Sequence, residues 1–255
     1  MIKIATLNVK GLNNRPKAQK TLTLLKSYNL DIIMLQETNL KDTNTRNFLA
    51  QQWGFDSFWS SKTAILAGNK NIKLLETKDS HNGRISSART VIQQQPFLLT
   101  NVYAPPAHNE RFSFFQSWAL LNSEESISII GGDFNTNTDP DKNRISQAPA
   151  QSDQSRNKIK ELMSDFTDTA IFSKDKQFLT FYQNTQNNQK MATRLDYIFI
   201  EANHSHICKN TYTSFGNSDH LMVVSELDLK HYNGAPSPWR FNRKCWENSE
   251  LKEEV

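Results

Sequence analysis

Nowhere in the 255 residues does an apolar run reach the roughly 18 residues that would mark a membrane-spanning helix. Cysteine is nearly absent too. Cys208 and Cys245 are too few for a disulfide framework or a cysteine-rich zinc site, so a reducing, intracellular setting is expected. The opening residues MIKIATLNVKGL enter a strand pattern directly, without an apolar leader and small-residue cleavage site, so secretion is not expected. Charge is scarce for so polar a chain. Asp, Glu, Lys and Arg make up 22%, and the mean hydropathy of −0.64 comes largely from uncharged Asn, Gln, Ser and Thr. That excludes a charge-driven disordered chain. No repeat with a period of roughly 20–50 residues is visible, which argues against a solenoid. The net charge of +4 suits a polyanionic partner without demanding one.

What is present is a succession of short, β-branched apolar runs, separated by Asn, Gly, Pro and Ser clusters and interleaved with a few amphipathic segments. Strands are expected at 2–8, 32–36, 57–66, 70–77, 87–94, 97–103, 127–131, 178–183, 193–200, 207–214 and 222–229. Helices are expected at 15–28, capped by Asn13 or Asn14, at 110–121 and at 155–165. Many strands and few helices fit a layered α/β (α+β) protein with a sheet-on-sheet core and outer helices. At about 150 residues per domain the chain holds one or two domains. After Leu229 the composition shifts to KHYNGAPSPWRFNRKCWENSELKEEV, so the expected organisation is one domain over 1–230 and a linker or tail over 231–255.

Four places with chemical potential each follow a strand. Asn8 in LNVKGL is either a turn residue or a functional amide. Glu37 closes the apolar run IIMLQET, where it is either a surface residue or a metal ligand. In IIGGDFN, Asp133 and Asn135 stand two apart and face the same way if the backbone is extended. Gly131 and Gly132 permit close backbone approach beside them. An acceptor-only carboxylate beside an amide suits a site that activates water and holds an anionic oxygen; a plain strand-to-turn exit is the alternative. Asp196 lies within TRLDYIFI, where burying a carboxylate is costly without a partner. His220, in Ser218-Asp219-His220, is the natural partner, although Asp219-His220 alone reads equally as a helix cap. If Glu37, Asp133, Asp196 and Asp219 converge, their repulsion requires a cation. Without a Cys or multi-His cluster, oxygen ligands favour magnesium or manganese over zinc. Such a site points to metal-assisted hydrolysis of a phosphate ester.

The order of these motifs carries a resemblance. LNV with Asn8, LQET with Glu37, NVYAP with Tyr103, GGDFN with Asp133 and Asn135, RLDYI with Asp196, and SDH with Asp219 and His220 follow one another over residues 1–229. The chain resembles the endonuclease/exonuclease/phosphatase superfamily, which includes exonuclease III, apurinic endonucleases and DNase I. Within it, LTFYQNTQNNQKMATRLDYIFI, with Thr180 and Thr193, and the tail Trp239-Arg240-Phe241-Asn242 are similar to the endonuclease region of LINE-type (non-LTR) retrotransposons. Apurinic-site enzymes usually place Trp and Gly before LDY, where this chain has Met191-Ala192-Thr193.

The resemblance implies a four-layered α/β sandwich of two face-to-face mixed sheets with outer helices. It implies a catalytic set of Asn8, Glu37, Tyr103, Asp133, Asn135, Asp196, Asp219 and His220, with Glu37, Asn8 and Asp219 at a Mg2+ ion that Mn2+ would replace. Asp133 would orient or deprotonate the attacking water, Asn135 and Tyr103 would contact the phosphate, and Asp196 would hold His220. The implied activity is nicking of double-stranded DNA in the nucleus. The 3′-hydroxyl product would prime reverse transcription by a region of the same polyprotein. The alternatives are an apurinic-site repair nuclease, a small-molecule phosphatase and a non-catalytic DNA-binding module. Lys10 stands where apurinic enzymes carry a second metal-binding Asp, which counts against a two-metal site. Expected DNA contacts are Thr180, Thr193, Arg194 and Arg144, with Lys10, Arg15, Lys17 and Lys20 on phosphates. The polar stretch Gln183, Asn184, Gln186, Asn187 and Asn188 reads either as a solvated hairpin loop or, by analogy, as a groove-inserting one.

Overall fold

In chain order the elements are β1 (Ile2–Asn8), α1 (Arg15–Ser27), β2 (Ile32–Gln36), α2 (Thr43–Trp53), β3 (Ser57–Trp59), β4 (Thr63–Ala67), β5 (Leu75–Ser80), β6 (Ile85–Ile92), β7 (Gln95–Tyr103), α3 (His108–Ser117) and β8 (Ile127–Asp133). There follow β9 (Arg144–Ile145), α4 (Ser155–Leu162), β10 (Phe166–Asp168), β11 (Phe181–Asn184), β12 (Lys190–Thr193), β13 (Asp196–Glu201), β14 (Cys208–Ser214) and β15 (Met222–Leu227). This computed structural model describes residues 1–121, 125–146, 152–175, 177–184 and 190–230. Gln186, Asn187, Asn188 and the 231–255 tail lie outside the described residues.

Two six-stranded sheets form, in the orders β14-β15-β1-β2-β4-β3 and β10-β13-β8-β7-β6-β5, with a small third sheet β11-β12-β9. Each large sheet is mixed. Its single parallel pair, β1/β2 in one and β7/β8 in the other, is joined through a helix, α1 or α3. Parallel neighbours need such a crossover, whereas antiparallel neighbours such as β3/β4, β5/β6 and β6/β7 close through short turns.

Side-chain alternation decides the layering. Even positions of β1 and β2 (Ile2, Ile4, Ile32, Met34) meet odd positions of β7 and β8 (Phe97, Leu99, Ile127, Ile129) and even positions of β13 (Ile198, Ile200) in one core between the sheets. The opposite parity of the first sheet (Ala5, Leu7, Ile33, Leu35) packs under Ala18, Leu22 and Leu25 of α1 and Leu49 and Trp53 of α2. Val102, Ile130, Tyr197 and Phe199 pack under Phe114 and Phe115 of α3 and Ile159 of α4. Three apolar layers between four structural ones make the expected α/β/β/α sandwich.

Local boundaries differ from expectation for definable reasons. The run 57–66 is a hairpin, because Ser60 Oγ accepts from Lys62 N (3.4 Å) and Thr63 N (3.2 Å) and turns the chain. Residues 70–74 are not strand: Asn69 Oδ1 accepts from Asn71 N (3.0 Å), and Asp56 Oδ2 takes the Leu74 N–H (3.0 Å). The run 193–200 breaks at Arg194 and Leu195, since Leu195 N and Asp196 N donate to Thr180 Oγ1 instead of to a neighbouring strand. The helix α2 was not expected. Only Leu49 and Trp53 of it are buried, so its apolar stripe is weak, and Asp42 nucleates it by accepting from Thr45 N (2.7 Å).

Candidate active site

The parity that builds the inner core also builds the site. Continuing the inward-facing series toward the carboxyl ends of the parallel pairs gives Asn8 on β1, Gln36 on β2, Asn101 and Tyr103 on β7, Asp133 on β8 and Asp196 on β13. The layer between the sheets thus turns from apolar to polar at one edge. In open α/β sheets that edge, beyond the carboxyl ends of parallel strands, is where ligands are held.

Beneath the opening a buried amide pair cross-links the sheets. Asn101 Nδ2 donates to Leu35 O (2.9 Å) and Ala64 O (2.8 Å), and Gln36 Nε2 donates to Asn101 Oδ1 (2.7 Å), Thr6 Oγ1 (2.8 Å) and Met34 O (2.9 Å). These two amides were missed from sequence. The signal was legible: a polar residue at an inward position of an otherwise apolar strand. Gly131, one step below Asp133, lets the sheets approach, since a Cβ there would lie 2.3 Å from Met34 Cε. Gly132 serves the neighbouring strand in the same way, with Val102 O 2.0 Å from its would-be Cβ.

Above the clamp the functional side chains meet. Asn8 Nδ2 donates to both Asp133 Oδ2 (2.8 Å) and Glu37 Oε2 (3.1 Å), so one amide joins carboxylates from the two sheets. Asp133 Oδ1 accepts from Asn135 N (2.8 Å). Asn135 reaches Asp133 by a turn at φ +50°, not by the extended two-residue pleat expected; its Nδ2 donates to Ala104 O (2.8 Å) and lies 3.4 Å from Asp133 Oδ2. Glu37 also sits in left-handed backbone (φ +54°), which turns it out of the strand toward the opening. Tyr103 is held by Arg84, whose guanidinium lies 5.0 Å over its ring and donates to its carbonyl (3.2 Å).

Opposite stands the second half. His220 Nδ1 is 2.8 Å from Asp196 Oδ2, and Asp196 is 0% exposed. The base of the β11 arm holds this pair. Thr180 Oγ1 accepts from Leu195 N (3.0 Å) and Asp196 N (3.1 Å), Thr180 O accepts from Leu221 N (2.7 Å), and Phe181 bridges to His220 with ring centroids 4.9 Å apart. Asn8, Lys10, Glu37, Tyr103, Pro106, Asp133, Asn135, Phe181, Gln183, Asp219 and His220 line one cleft of about 360 Å3.

Electrostatics follow from burial and neighbours. Burial, then the charge of Asp196, raises the Asp133 carboxyl to about 7, against the pull of His220 and the Asn8 amide. Burial would lower the His220 imidazole, but Asp196, with Asp133 and Asp219, outweighs it and raises it to about 9. Burial, with Glu37 and Asp133 beside it, lifts the Tyr103 phenol, which stays neutral. Burial would raise Asp219, but the Lys10 ammonium bonded to it outweighs burial and lowers it; the same bond raises Lys10.

All eight expected site residues therefore come together. Several of the expected DNA contacts do not reach the surface. Arg194 is 4% exposed; it pairs with Asp168 Oδ1 (2.6 Å) and lies over Tyr197 (4.2 Å) and Phe178 (5.1 Å). Thr180 is the internal strut just described. Thr193 Oγ1 accepts from Asn137 Nδ2 (2.9 Å) and lies 3.4 Å from Asn143 O. These three knit the arm to the sheet, because buried polar groups take partners within the protein. Gln183 is exposed on the cleft wall, Arg144 is half-buried in β9, and Asn184 ends β11. Lys10, Arg15 and Lys20 are exposed, and Lys17 is half-buried.

Comparison with known proteins agrees with this arrangement. The chain is 25% identical, over all of its length, to the transposon TX1 uncharacterized 149 kDa protein of Xenopus laevis, and it spans 20% of that protein. The fold is similar to that of an AP endonuclease from Archaeoglobus fulgidus, at TM-score 0.67 and 18% identity over 89% of this chain and all of that one. It is also similar to the endonuclease domain of TRAS1, a telomere-specific non-LTR retrotransposon, at TM-score 0.65 and 13% identity over 90% of this chain and all of that one. Residues 5–220 match the model of the endonuclease/exonuclease/phosphatase family, and the chain belongs to that family.

Proposed function

We propose that this chain is a divalent-cation-dependent phosphodiesterase that nicks double-stranded DNA in the nucleus, leaving a 3′-hydroxyl from which a mobile element's reverse transcriptase extends. The observation that carries the chemistry is one cleft with Asp133 bonded through Asn8 to Glu37 on one side and the Asp196–His220 pair on the other. The mobile-element context rests on full-length similarity to a transposon protein five times as long.

The residues fit a hard cation. The cleft side chains offer carboxylate, amide and phenol oxygens and no thiol, a donor set for Mg2+ with Mn2+ as substitute. Among the described residues, Asp133, Asp196 and His220 also bring ligand atoms within 4.8 Å of one another. There His220 Nδ1 is taken by its bond to Asp196, and Glu37, in the cleft with the Asn8 amide beside it, is the better ligand. When bound, the ion supplies positive charge to the phosphate oxygens and to the leaving oxygen.

The chain's own groups perform the remaining tasks. Asp133, held near 7, accepts a proton from the attacking water at neutral pH, and its two bonds from Asn8 and Asn135 aim the free lone pairs. His220 is an imidazolium at neutral pH. With Nδ1 fixed on Asp196, its Nε2–H neutralises a phosphate oxygen as charge builds. Neutral Tyr103 and the Asn135 amide donate to the remaining oxygens. In-line displacement at phosphorus needs mainly this positioning and charge neutralisation.

The test is incubation of the purified chain with Mg2+ and either supercoiled plasmid or a duplex containing one abasic site. Open-circular plasmid with 3′-hydroxyl ends supports the proposal. Cleavage of the abasic duplex alone would assign the repair activity instead, and phosphate release from small esters without DNA cleavage would assign the phosphatase.

A further inference from the structure

The cleft lined by Glu37 also carries an ion pair that the proposed chemistry does not use. Lys10 Nζ is bonded to Asp219 Oδ2, and Asp219 Oδ1 accepts from Ser218 Oγ (3.2 Å), so both oxygens of this carboxylate have donors. Glu37, whose carbonyl accepts from Gly11 N (2.7 Å), has no ion pair among the described residues. Lys10 is not a freely swinging surface lysine. Its backbone lies in the left-handed region (φ +50°), its N–H donates to Asn8 Oδ1 (2.9 Å), and its carbonyl accepts from Lys17 Nζ (2.6 Å). A non-glycine residue adopts that conformation at a cost, and bonds on both sides of the residue offset it. The stem therefore leaves a fixed backbone position from which the ammonium reaches Asp219.

We propose that Lys10 withholds Asp219 from the ion's ligand set, so that the divalent cation is held from the Glu37 side alone. This rests on the metal-dependent reading above. For Asp219 to coordinate a cation it would first have to release an ammonium already paired with it, and two cations on one carboxylate repel. Lys10 thus supplies a tethered single charge at the cleft lip, and that charge faces the cleft as a contact for an incoming phosphate.

The experiment is Mn2+ titration by calorimetry, without DNA, on the folded chain and on Lys10→Met, Asp219→Asn, the double variant, Lys10→Arg and Glu37→Gln. Lys10 is 60% exposed, so its substitution leaves the core untouched. With Lys10 present, Asp219→Asn is expected to weaken Mn2+ binding by less than about threefold; Lys10→Met tightens it by more than about tenfold, and the double variant loses that gain. Lys10→Arg binds as wild type does. A loss beyond about tenfold in Asp219→Asn alone overturns the proposal, as does a Lys10→Met gain that persists in the double variant, which would be additive charge and not ligand release. Absence of Mn2+ binding in the wild type, or unchanged binding in Glu37→Gln, overturns the metal reading itself.

Discussion

Replacing Asp196 by Asn changes one oxygen for an NH2 at a site with no solvent exposure, so packing and the Thr180 bond to the backbone are kept while the charge is lost. That charge is the main opponent of burial at His220, whose imidazole it holds at about 9 against an ordinary 6.5. At about pH 7.5 a group titrating at 9 is about 97% protonated. Without Asp196 the imidazole falls back toward its ordinary 6.5, where about a tenth remains charged at that pH. The population term is thus about tenfold. The lost charge-assisted bond that orients the ring adds about 1.5–3 kcal/mol, or roughly another ten- to hundredfold. Nicking by Asp196→Asn should fall by about 10² to 10³, with its basic limb moved from near pH 9 to below neutrality. The assay is plasmid nicking across pH, alongside NMR titration of the His220 ring. Activity within about tenfold of wild type, with the basic limb still near 9, would refute the reasoning.

Asp133→Ala should abolish nicking while leaving the thermal transition within a few degrees, because the cost of burying the carboxyl is removed along with its bonds from Asn8 and Asn135; residual nicking above background would reject its role as base. EDTA should stop the reaction and Mg2+ or Mn2+ restore it, and activity surviving exhaustive chelation would contradict the oxygen-ligand site. Thr180→Val removes the acceptor of two N–H groups and should cost about 2–4 kcal/mol in denaturant melting. Arg194→Met should cost about 3 kcal/mol yet leave the salt dependence of DNA binding unchanged, and a shallower salt slope would restore Arg194 to the DNA surface. Asp133 and His220 both titrate higher folded than unfolded, so each contributes stability at low pH that is lost as pH rises through its folded value. Metal-free melting temperature should therefore fall from about pH 4 to pH 7 as Asp133 ionises and from about pH 6.5 to pH 9 as His220 loses its proton; a flat profile over the lower range would contradict the first assignment and a flat profile from pH 7 to 9 the second.

Much of this was legible in one dimension. Strand alternation is a period-2 signal, so the inward parity of Asn8, Asp133 and Asp196 follows once their strands are recognised. Glu37 and Asp133 stand at or just past the ends of β2 and β8, where the apolar run stops, and Asp196 opens β13. Element boundaries were less legible where a side chain competes for backbone bonds, as Ser60 does in the 57–66 hairpin and Thr180 at the 193–196 break. The helix α2 escaped because too little of it is buried to leave a periodic stripe.

The layered α/β class and the placing of Glu37, Asp133 and Asp196 at strand termini could be read from the chain alone, because alternation and composition are local properties that need no partner. Which side chains meet is not local. That Asn8 joins Asp133 and Glu37, that Gln36 and Asn101 clamp the sheets, and that Arg194 and Thr180 turn inward depend on the packing of segments up to 125 residues apart. Lys10 and Asp219, 209 residues apart, show the same limit. Each reads as an ordinary surface charge until the two sheets bring them to one lip, since an ion pair depends on distance in space and not on position in the chain.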